Sequence, residues 1–384
     1  MKQRTVDASR FKRTQRALSF RPSIIPHGSL QAQSSHKEPQ SGPLTTREPG
    51  TRDYADGKSH LYYSNSNLKR GGTVLLHSPE HLQPVTGLVE RAEETLKIMH
   101  RWGYSPTVDA LAKNLLGGSV PPSDLVRAIG SQAQIELRDG FVSLLGHADL
   151  VQRSSERVES HRALNGDAWS VARAFTEDLA SLCPFVRCVA VCGSLASGGY
   201  ANSDDLDFDL FVKSGTKYVS YLLATLVGLR YSWRYRKRKL NRIHQVWTLP
   251  KLICVNVVWS EDEVKPFIRR DADVAFELLR CQPLFGAAYF DQVCQDNEWV
   301  ASYFPQLYNS HRPDTVHPGP SLVGSFLQQL GFHRLPLRVF EIGSRGIVWS
   351  LYHLVQWTRR RDPEAVSRMA FLRDVKWPYE VLQD

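Results

Sequence analysis

Apolar residues recur at helical spacing along the stretch that begins at residue 88. The pattern predicts three helices, over Leu88–Gly103, Val108–Leu116 and Leu125–Ile129. Two short β-prone runs follow on either side of an Asp-Gly pair, which indicates a hairpin. Three helices followed by a hairpin is the order of a winged helix, so residues 85–147 are predicted to form a winged-helix-like domain. The third helix offers only one basic side chain, Arg127, which favours packing on the next domain over reading DNA.

The rest of the pattern divides into a long helix, an α/β block and a helical end. The pattern over residues 148–183 predicts a linker helix. Residues 184–265 contain short apolar runs that are typical of buried strands. Residues 266–384 return largely to helical spacing. The predicted fold class is therefore α+β, with residues 1–80 as a disordered basic tail in front.

That tail holds most of the net charge and little apolar material. The chain carries 48 Lys+Arg against 39 Asp+Glu, or +9, and residues 1–70 alone carry 13 against 5, or +8. Such a segment buries too little apolar surface to offset its ordering entropy. Its basic residues suit an arm that contacts nucleic acid, an organellar transit peptide or a solvated extension.

Composition narrows the class of protein. The chain of 384 residues is 42% hydrophobic and 23% charged, which is typical of a soluble globular protein of two or three domains. No stretch approaches the ~18 uncharged apolar residues that a membrane-spanning helix needs, so no membrane partner is expected. Six cysteines form no C-x-x-C pair and lie in apolar contexts, which argues against a disulfide framework and favours a cytoplasmic location.

The segment that carries chemistry is PFVRCVAVCGSLASGGYANSDDLDFDLFV, residues 184–212. A short apolar strand ends at Gly193 and Ser194, and after ten residues a second strand carries Asp205 and Asp207. Side chains alternate along a strand, so both carboxylates point to one side about 7 Å apart. Gly193 lets the backbone approach a phosphate, and the Ser194 hydroxyl can donate to its oxygens. The arrangement suits a nucleoside triphosphate with Mg²⁺.

These residues resemble the nucleotidyltransferase superfamily that includes DNA polymerase beta, the poly(A) and CCA-adding enzymes and the aminoglycoside nucleotidyltransferases. The resemblance rests on the G-S pair, the loop glycine Gly198 and the D-x-D pair between two apolar strands. The later segments KLICVNVVW, QPLFGAAYFD and DNEWVASYFP look like landmarks of a bacterial and archaeal subgroup with a helix-rich front region. The similarity spans roughly residues 88–305 and leaves the tail outside.

The resemblance implies a mixed-sheet catalytic core and a metal-dependent enzyme. Such an enzyme transfers NMP from an NTP, for example ATP, to a hydroxyl acceptor and releases pyrophosphate. Asp205 and Asp207 would hold two Mg²⁺ ions, with Mn²⁺ as the alternative ion. The nucleotide would be bound by Gly193, Ser194, Gly198 and Asn256. The acceptor stays open between a small molecule, an RNA end and a protein side chain.

Two positions depart from the family pattern. The superfamily generally has a third carboxylate on a neighbouring strand, and the matching position here is Asn256, which cannot take a proton at neutral pH. Asp209 stands where such sequences usually carry an apolar residue, so it is the candidate catalytic base. The alternatives are that Asp209 is a structural acid, that the acceptor needs little activation, or that activity is weak.

A basic run lies between the predicted strands. Seven Lys+Arg from Arg230 to Arg242 alternate with Tyr231, Trp233 and Tyr235. Such a run can grip a triphosphate or an RNA backbone, and it is equally typical of a solvated helix end. The competing function for the whole chain is a catalytically degenerate domain that binds nucleic acid or a protein partner.

Deletion of residues 1–70 is expected to leave the melting temperature and the NTP affinity almost unchanged, because the segment lacks the apolar content to join a core. The same deletion should weaken any salt-sensitive binding to nucleic acid, since it removes +8 of the +9 charge. Thermal melts and nucleic-acid titrations at two salt concentrations check this. A large loss of thermal stability would show that the tail is structural.

Overall fold

A computed structural model describes the chain from residue 87 to residue 374, apart from residues 241–244, 247–248, 310–311 and 332–333. The predicted disordered tail over residues 1–80 lies outside the described residues. The described part mixes helices with a mixed sheet, which confirms the α+β class. No described helix is long and apolar enough to cross a membrane.

The front region consists of three helices followed by an antiparallel hairpin, in the order that the sequence predicts. The elements are α1 (Leu88–Arg101), α2 (Val108–Lys113), α3 (Pro122–Ile129), β1 (Ile135–Arg138) and β2 (Phe141–Leu144). The hairpin turn needs two residues with positive φ, and Asp139 (52°) and Gly140 (79°) supply them because Gly and Asp tolerate the left-handed region. The apolar faces of the three helices bury a common core of Leu96, Leu111 and Leu125.

One long helix, α4 (Ala148–Leu182), connects this region to the sheet. The sequence predicts a linker helix over nearly the same residues. The last turns of α4 are the apolar part, and Phe175 and Leu179 are fully buried there against the sheet.

The central sheet has four strands in the order β7-β4-β3-β8. Its chain segment contains β3 (Val186–Val191), α5 (Gly193–Ala196), β4 (Leu206–Val212), α6 (Lys217–Arg234), β5 (Gln245–Val246), β6 (Leu249–Pro250), β7 (Ile253–Ser260), α7 (Ala272–Arg280) and β8 (Gln282–Phe285). Strands β3 and β4 pair antiparallel, and so do β3 and β8. Strand β7 pairs parallel to β4 after the crossover through α6.

Both faces of the sheet are covered, because its strands are apolar on both sides. One face of β4 carries Phe208 and Leu210 and joins the core formed with α4 and α6. The other face carries Phe211 and joins the core formed with α7 and the front helices. Asp205, Asp207 and Asp209 alternate with the apolar residues, so they point to this second face.

The sequence predicts a helical region over residues 266–384, but β8 lies within that range and pairs with β3 of the central sheet. After β8, the described residues form helices. These are α8 (Ala287–Gln295), α9 (Trp299–Tyr303), a short 3-10 helix (Pro305–Asn309), α10 (Leu322–Gly331), α11 (Arg334–Arg359) and α12 (Pro363–Asp374). Helix α11 packs along α6, and Glu341 caps α6 by accepting from the backbone N–H groups of Tyr218 and Val219 at 2.8 and 2.9 Å.

A single buried amide joins the loop after β7 to the helices after β8. The Asn297 side chain is fully buried and makes four hydrogen bonds. Its Oδ1 accepts from the Phe267 backbone N–H at 2.9 Å and from the Trp299 indole N–H at 3.0 Å. Its Nδ2 donates to the carbonyls of Val264 and Val293 at 2.7 and 2.8 Å. All four hydrogen-bonding sites of the amide are therefore satisfied.

Asn297→Ala is expected to lower the free energy of unfolding by about 3 kcal/mol or more, because it leaves several buried donors and acceptors without partners. Gln295→Ala removes an exposed amide two residues away and serves as the control. Chemical denaturation of both variants gives the comparison. Equal stability of the two would contradict a structural role for this amide.

Candidate functional site

The two acids of the D-x-D pair meet at the start of β4. Asp205 directly precedes the strand and is buried, while Asp207 lies within it and is partly exposed. A carboxylate oxygen from each and the Cys254 sulfur all lie within 4.8 Å of one another. The structure therefore brings together the pair that the sequence selects, and it adds a thiol that the sequence reasoning missed.

Gly193 lets the backbone of the site lie very close to the Asp207 side chain. Its φ is +63°, and a Cβ built on it would lie 2.1 Å from Asp207 Oδ2. The Cys192 N–H next to it donates to the Asp207 carbonyl at 3.0 Å. The sequence predicts that this glycine admits a phosphate, whereas the group nearest to it here is the Asp207 carboxylate. Gly193 is thus required for the position of the acid.

The loop between α5 and β4 is held together by Asp204. Its Oδ2 accepts from the Ser194 hydroxyl at 2.9 Å and from the Ala201 N–H at 3.0 Å, and Arg157 of α4 forms an ion pair with it. The Ser194 hydroxyl therefore stabilises the loop, and its contact with a phosphate stays a prediction. Gly198 lies in the same loop at φ +76° with open space around its α-carbon.

Part of the basic run folds back onto this loop. Arg238 donates to the Asn202 carbonyl at 3.0 Å and to the Tyr200 hydroxyl, and its guanidinium lies 5.5 Å from the centre of the Tyr200 ring. Arg236 stacks on Trp233 at 5.2 Å instead. The run thus places at least one arginine beside the site, while residues 241–244 lie outside the described part.

Strand β7 supplies the side chains on the other side of the acid pair. Cys254 is the register partner of Asp207, and the Lys251 ammonium donates to its sulfur at 2.9 Å. Burial and the nearby carboxylates raise the pKa of the Cys254 thiol to about 12, although Lys251 opposes this shift. Cys254 is therefore a neutral thiol at pH 7. Lys251 also lies close enough to Asp205 to interact with it, and no sequence motif identified this cation.

Asn256 lies one residue pair further along the same face. Its Nδ2 donates to the Cys192 sulfur at 3.4 Å, and its Oδ1 accepts from the Cys254 thiol at 3.5 Å. A register shift in the β4–β7 pairing leaves Asn256 opposite no residue of β4. Asn256 therefore connects the sulfurs of two strands, and its predicted contact with the nucleotide is untested.

Asp209 lies deeper than the other two acids, with 0% of its surface exposed. Its two oxygens accept from the thiols of Cys192 and Cys281 at 3.3 and 3.4 Å. Burial is the main cause that raises the pKa of Asp209 well above its ordinary value, and the nearby Glu277 carboxylate raises it further. This environment agrees with the alternative that Asp209 is a structural acid, and the donors that meet it are two thiols.

Helix α7 closes the site from the covered face. Arg280, at its end, donates to the Gly193 carbonyl at 3.0 Å and to the Ser197 hydroxyl at 2.9 Å. It also interacts with the Glu277 carboxylate, whose pKa burial raises. Arg280 thus braces the glycine turn from behind, a contact between distant segments that only the folded chain shows.

No protein-family model matches this chain, and no curated protein or solved structure matches it either. The chemistry of the site is therefore judged on its own geometry. Two carboxylates, a lysine, a thiol and a glycine turn with positive φ lie together at the start of β4. Carboxylate oxygens of this kind are suitable ligands for Mg²⁺ or Mn²⁺.

Gly193→Ala is expected to weaken Mn²⁺ binding about tenfold or more, because the new methyl group would displace the Asp207 carboxylate. Gly198→Ala is the matched control, since both glycines have positive φ and both variants lose about 1 kcal/mol of stability to backbone strain. Of these two glycines, only Gly193 has an atom close to the position that a Cβ would take. Electron paramagnetic resonance titration with Mn²⁺ compares them, and equal affinities would contradict this assignment.

Asp209→Asn is expected to become more stable relative to the wild type as pH rises from 5 to 8. A carboxyl with a raised folded pKa binds its proton more tightly in the folded state, so its stabilising contribution is lost as pH rises. Asparagine has no such dependence. Melting temperatures of both proteins at several pH values test this. A melting temperature of Asp209→Asn that does not rise relative to that of the wild type between pH 5 and pH 8 would contradict the raised pKa of Asp209.

Proposed function

We propose that this protein is a metal-dependent nucleotidyltransferase that transfers NMP from an NTP to a hydroxyl acceptor and releases pyrophosphate. The observation that carries the proposal is the Asp205–Asp207 pair, with Asp207 seated against the Gly193 turn, where no side chain could fit. An ordinary surface pair of acids needs no such turn. The resemblance in sequence to nucleotidyltransferases agrees with this geometry.

Asp205 and Asp207 would hold the two divalent ions, Mg²⁺ or Mn²⁺. When bound, the ions supply neutralisation of the triphosphate charge and alignment of the acceptor oxygen with the α-phosphorus. Lys251 lies beside the acids and would contact phosphate oxygens on the β7 side. The backbone around Gly193 and Gly198 would face the nucleotide, with Ser194 and Asn256 at its margins.

Asp209 is best assigned as a positioning residue in this proposal. It is fully buried beneath Asp207 and bonded to two thiols, so a substrate hydroxyl would have to displace these contacts to reach it. Asp209 fixes Cys192 and Cys281 at the ends of β3 and α7. The reaction would then rely on the metal pair for activation of the acceptor hydroxyl.

The front region is proposed to be a winged-helix-like adaptor. Arg101 of α1 forms an ion pair with Asp273 of α7 at 2.8 Å, and the Gly117 N–H donates to the Tyr303 carbonyl at 2.6 Å. Through these contacts the front region packs against other parts of the same chain. They support a role in bracing α7, the helix that carries Arg280.

A degenerate binding module is the second candidate. One observation favours it: within the described residues, the β7 side chain nearest the acid pair is Cys254 rather than a carboxylate. Such a module would bind nucleic acid or a protein partner without turnover. Incubation with each labelled NTP, divalent ions and candidate acceptors, followed by pyrophosphate release, separates the two functions.

Asp205→Asn and Asp207→Asn are each expected to lower pyrophosphate release by at least about 10²-fold, since each removes a metal ligand. Asp167→Asn neutralises an exposed acid on α4 and is the control. Asp209→Asn should stay within about tenfold of the wild type. Near-normal turnover by either dyad variant would overturn the proposed site.

A further inference from the structure

The C-terminal helices present an unusually large apolar surface. Trp349 and Trp357 of α11 are 53% and 61% exposed, and Leu322 of α10 is 92% exposed. The exposed apolar residues of these helices are Leu322, Val323, Phe326, Val339, Phe340, Ile342, Ile347, Trp349, Leu351, Leu354, Trp357 and Val366. Those on α11 stand on one side of it, because its opposite side packs on α6 through Leu337 and Val348.

The area of this surface exceeds what a monomer normally exposes. The three aromatic residues of α11 alone leave on the order of 350 Å² accessible, given their exposed fractions of about one half. The five exposed aliphatic residues of α11 add about as much again, whereas the largest patch on a typical monomer is about 300–600 Å². A stable interface needs about 800 Å² from each partner. The patch therefore has the size of one half of a dimer interface.

The outward stripe of α11 has the spacing of a helix that packs on another helix. Its members follow at steps of 4, 3, 4, 3 and 4 residues, and all are exposed: Val339, Gly343, Gly346, Ser350, His353 and Trp357. A glycine inside a helix costs about 1 kcal/mol relative to alanine. Nothing lies within 4 Å of a Cβ built on either glycine, so no contact within the described chain accounts for them.

The stripe is complementary to itself when a second copy runs antiparallel. Small residues occupy its middle and large ones occupy its ends. Pairing about the position of Val348 sets Val339 against Trp357 of a second copy, Gly343 against His353 and Gly346 against Ser350. Each bulky side chain then faces a smaller one, and a two-fold axis makes every such contact twice.

We propose that the protein forms a homodimer through α11, with the two helices antiparallel and closely packed at Gly343 and Gly346. The flanking aromatic residues, Trp349 and Phe340, enlarge the contact on either side of the stripe. This dimer does not depend on the proposed reaction. Neither acid of the proposed metal pair is among the residues that the contact requires.

The test is the molar mass of the full chain in solution at micromolar concentration, by light scattering after size exclusion. The wild type is expected at twice the chain mass of 43.6 kDa. Gly346→Glu is expected to be monomeric with an unchanged or higher melting temperature, because glutamate favours a helix more than glycine does. Gly166→Glu is the matched control, since Gly166 is also an exposed helical glycine with open space, and it should stay dimeric.

A monomeric wild type would overturn the proposal, and so would a Gly346→Glu variant that stays dimeric. Flotation with vesicles of phosphatidylcholine and phosphatidylserine adds a separate arm. Binding of a monomeric wild type to these vesicles, lost in Gly346→Glu, would assign the patch to a lipid surface instead and overturn the dimer.

Discussion

The sheet places a strand with two acidic side chains, preceded directly by a third, between two apolar neighbours. Strand β4 pairs with β3 on one side and with β7 on the other. Helix α7 and the front helices cover the face to which the acids point, so of the three only Asp207 stays partly exposed. Burying a carboxylate is costly unless donors or cations meet it. The neighbouring segments supply these groups, and the arrangement of the site follows from this constraint.

Each acid meets the constraint in a different way. Asp207 reaches the partly open rim because Gly193 has no side chain to block it. Asp205 lies near the Lys251 ammonium. Asp209, which has neither advantage, lies between the thiols of Cys192 and Cys281 and keeps a raised pKa. The three carboxylates thus pass from the partly exposed Asp207 to the fully buried Asp209.

Local patterns predicted much of this structure because the patterns reflect local physics. Helical spacing and the Asp-Gly turn gave the front elements, and strand alternation placed Asp205 and Asp207 on one face. The register of a parallel pair is set by a distant crossover, so the closeness of Cys254 to Asp207 could not be predicted. The same limit applies to Arg280, which reaches the Gly193 turn, and to Arg157, which reaches Asp204. Both come from helices far away in sequence. The size of the apolar surface on α11 also needed the folded chain, since a helical pattern does not show which face lacks a neighbour.

Helix α4 holds the loop between α5 and β4 at two points one turn apart. Arg157 binds Asp204, and the His161 ring accepts from the Tyr200 N–H at 3.3 Å. The helix is 35 residues long, or about 50 Å, and its first turns lie beside the hairpin of the front region. Arg157 and His161 lie about three turns from that end of the helix. The hairpin and the loop around Asp204 therefore contact the same stretch of one helix.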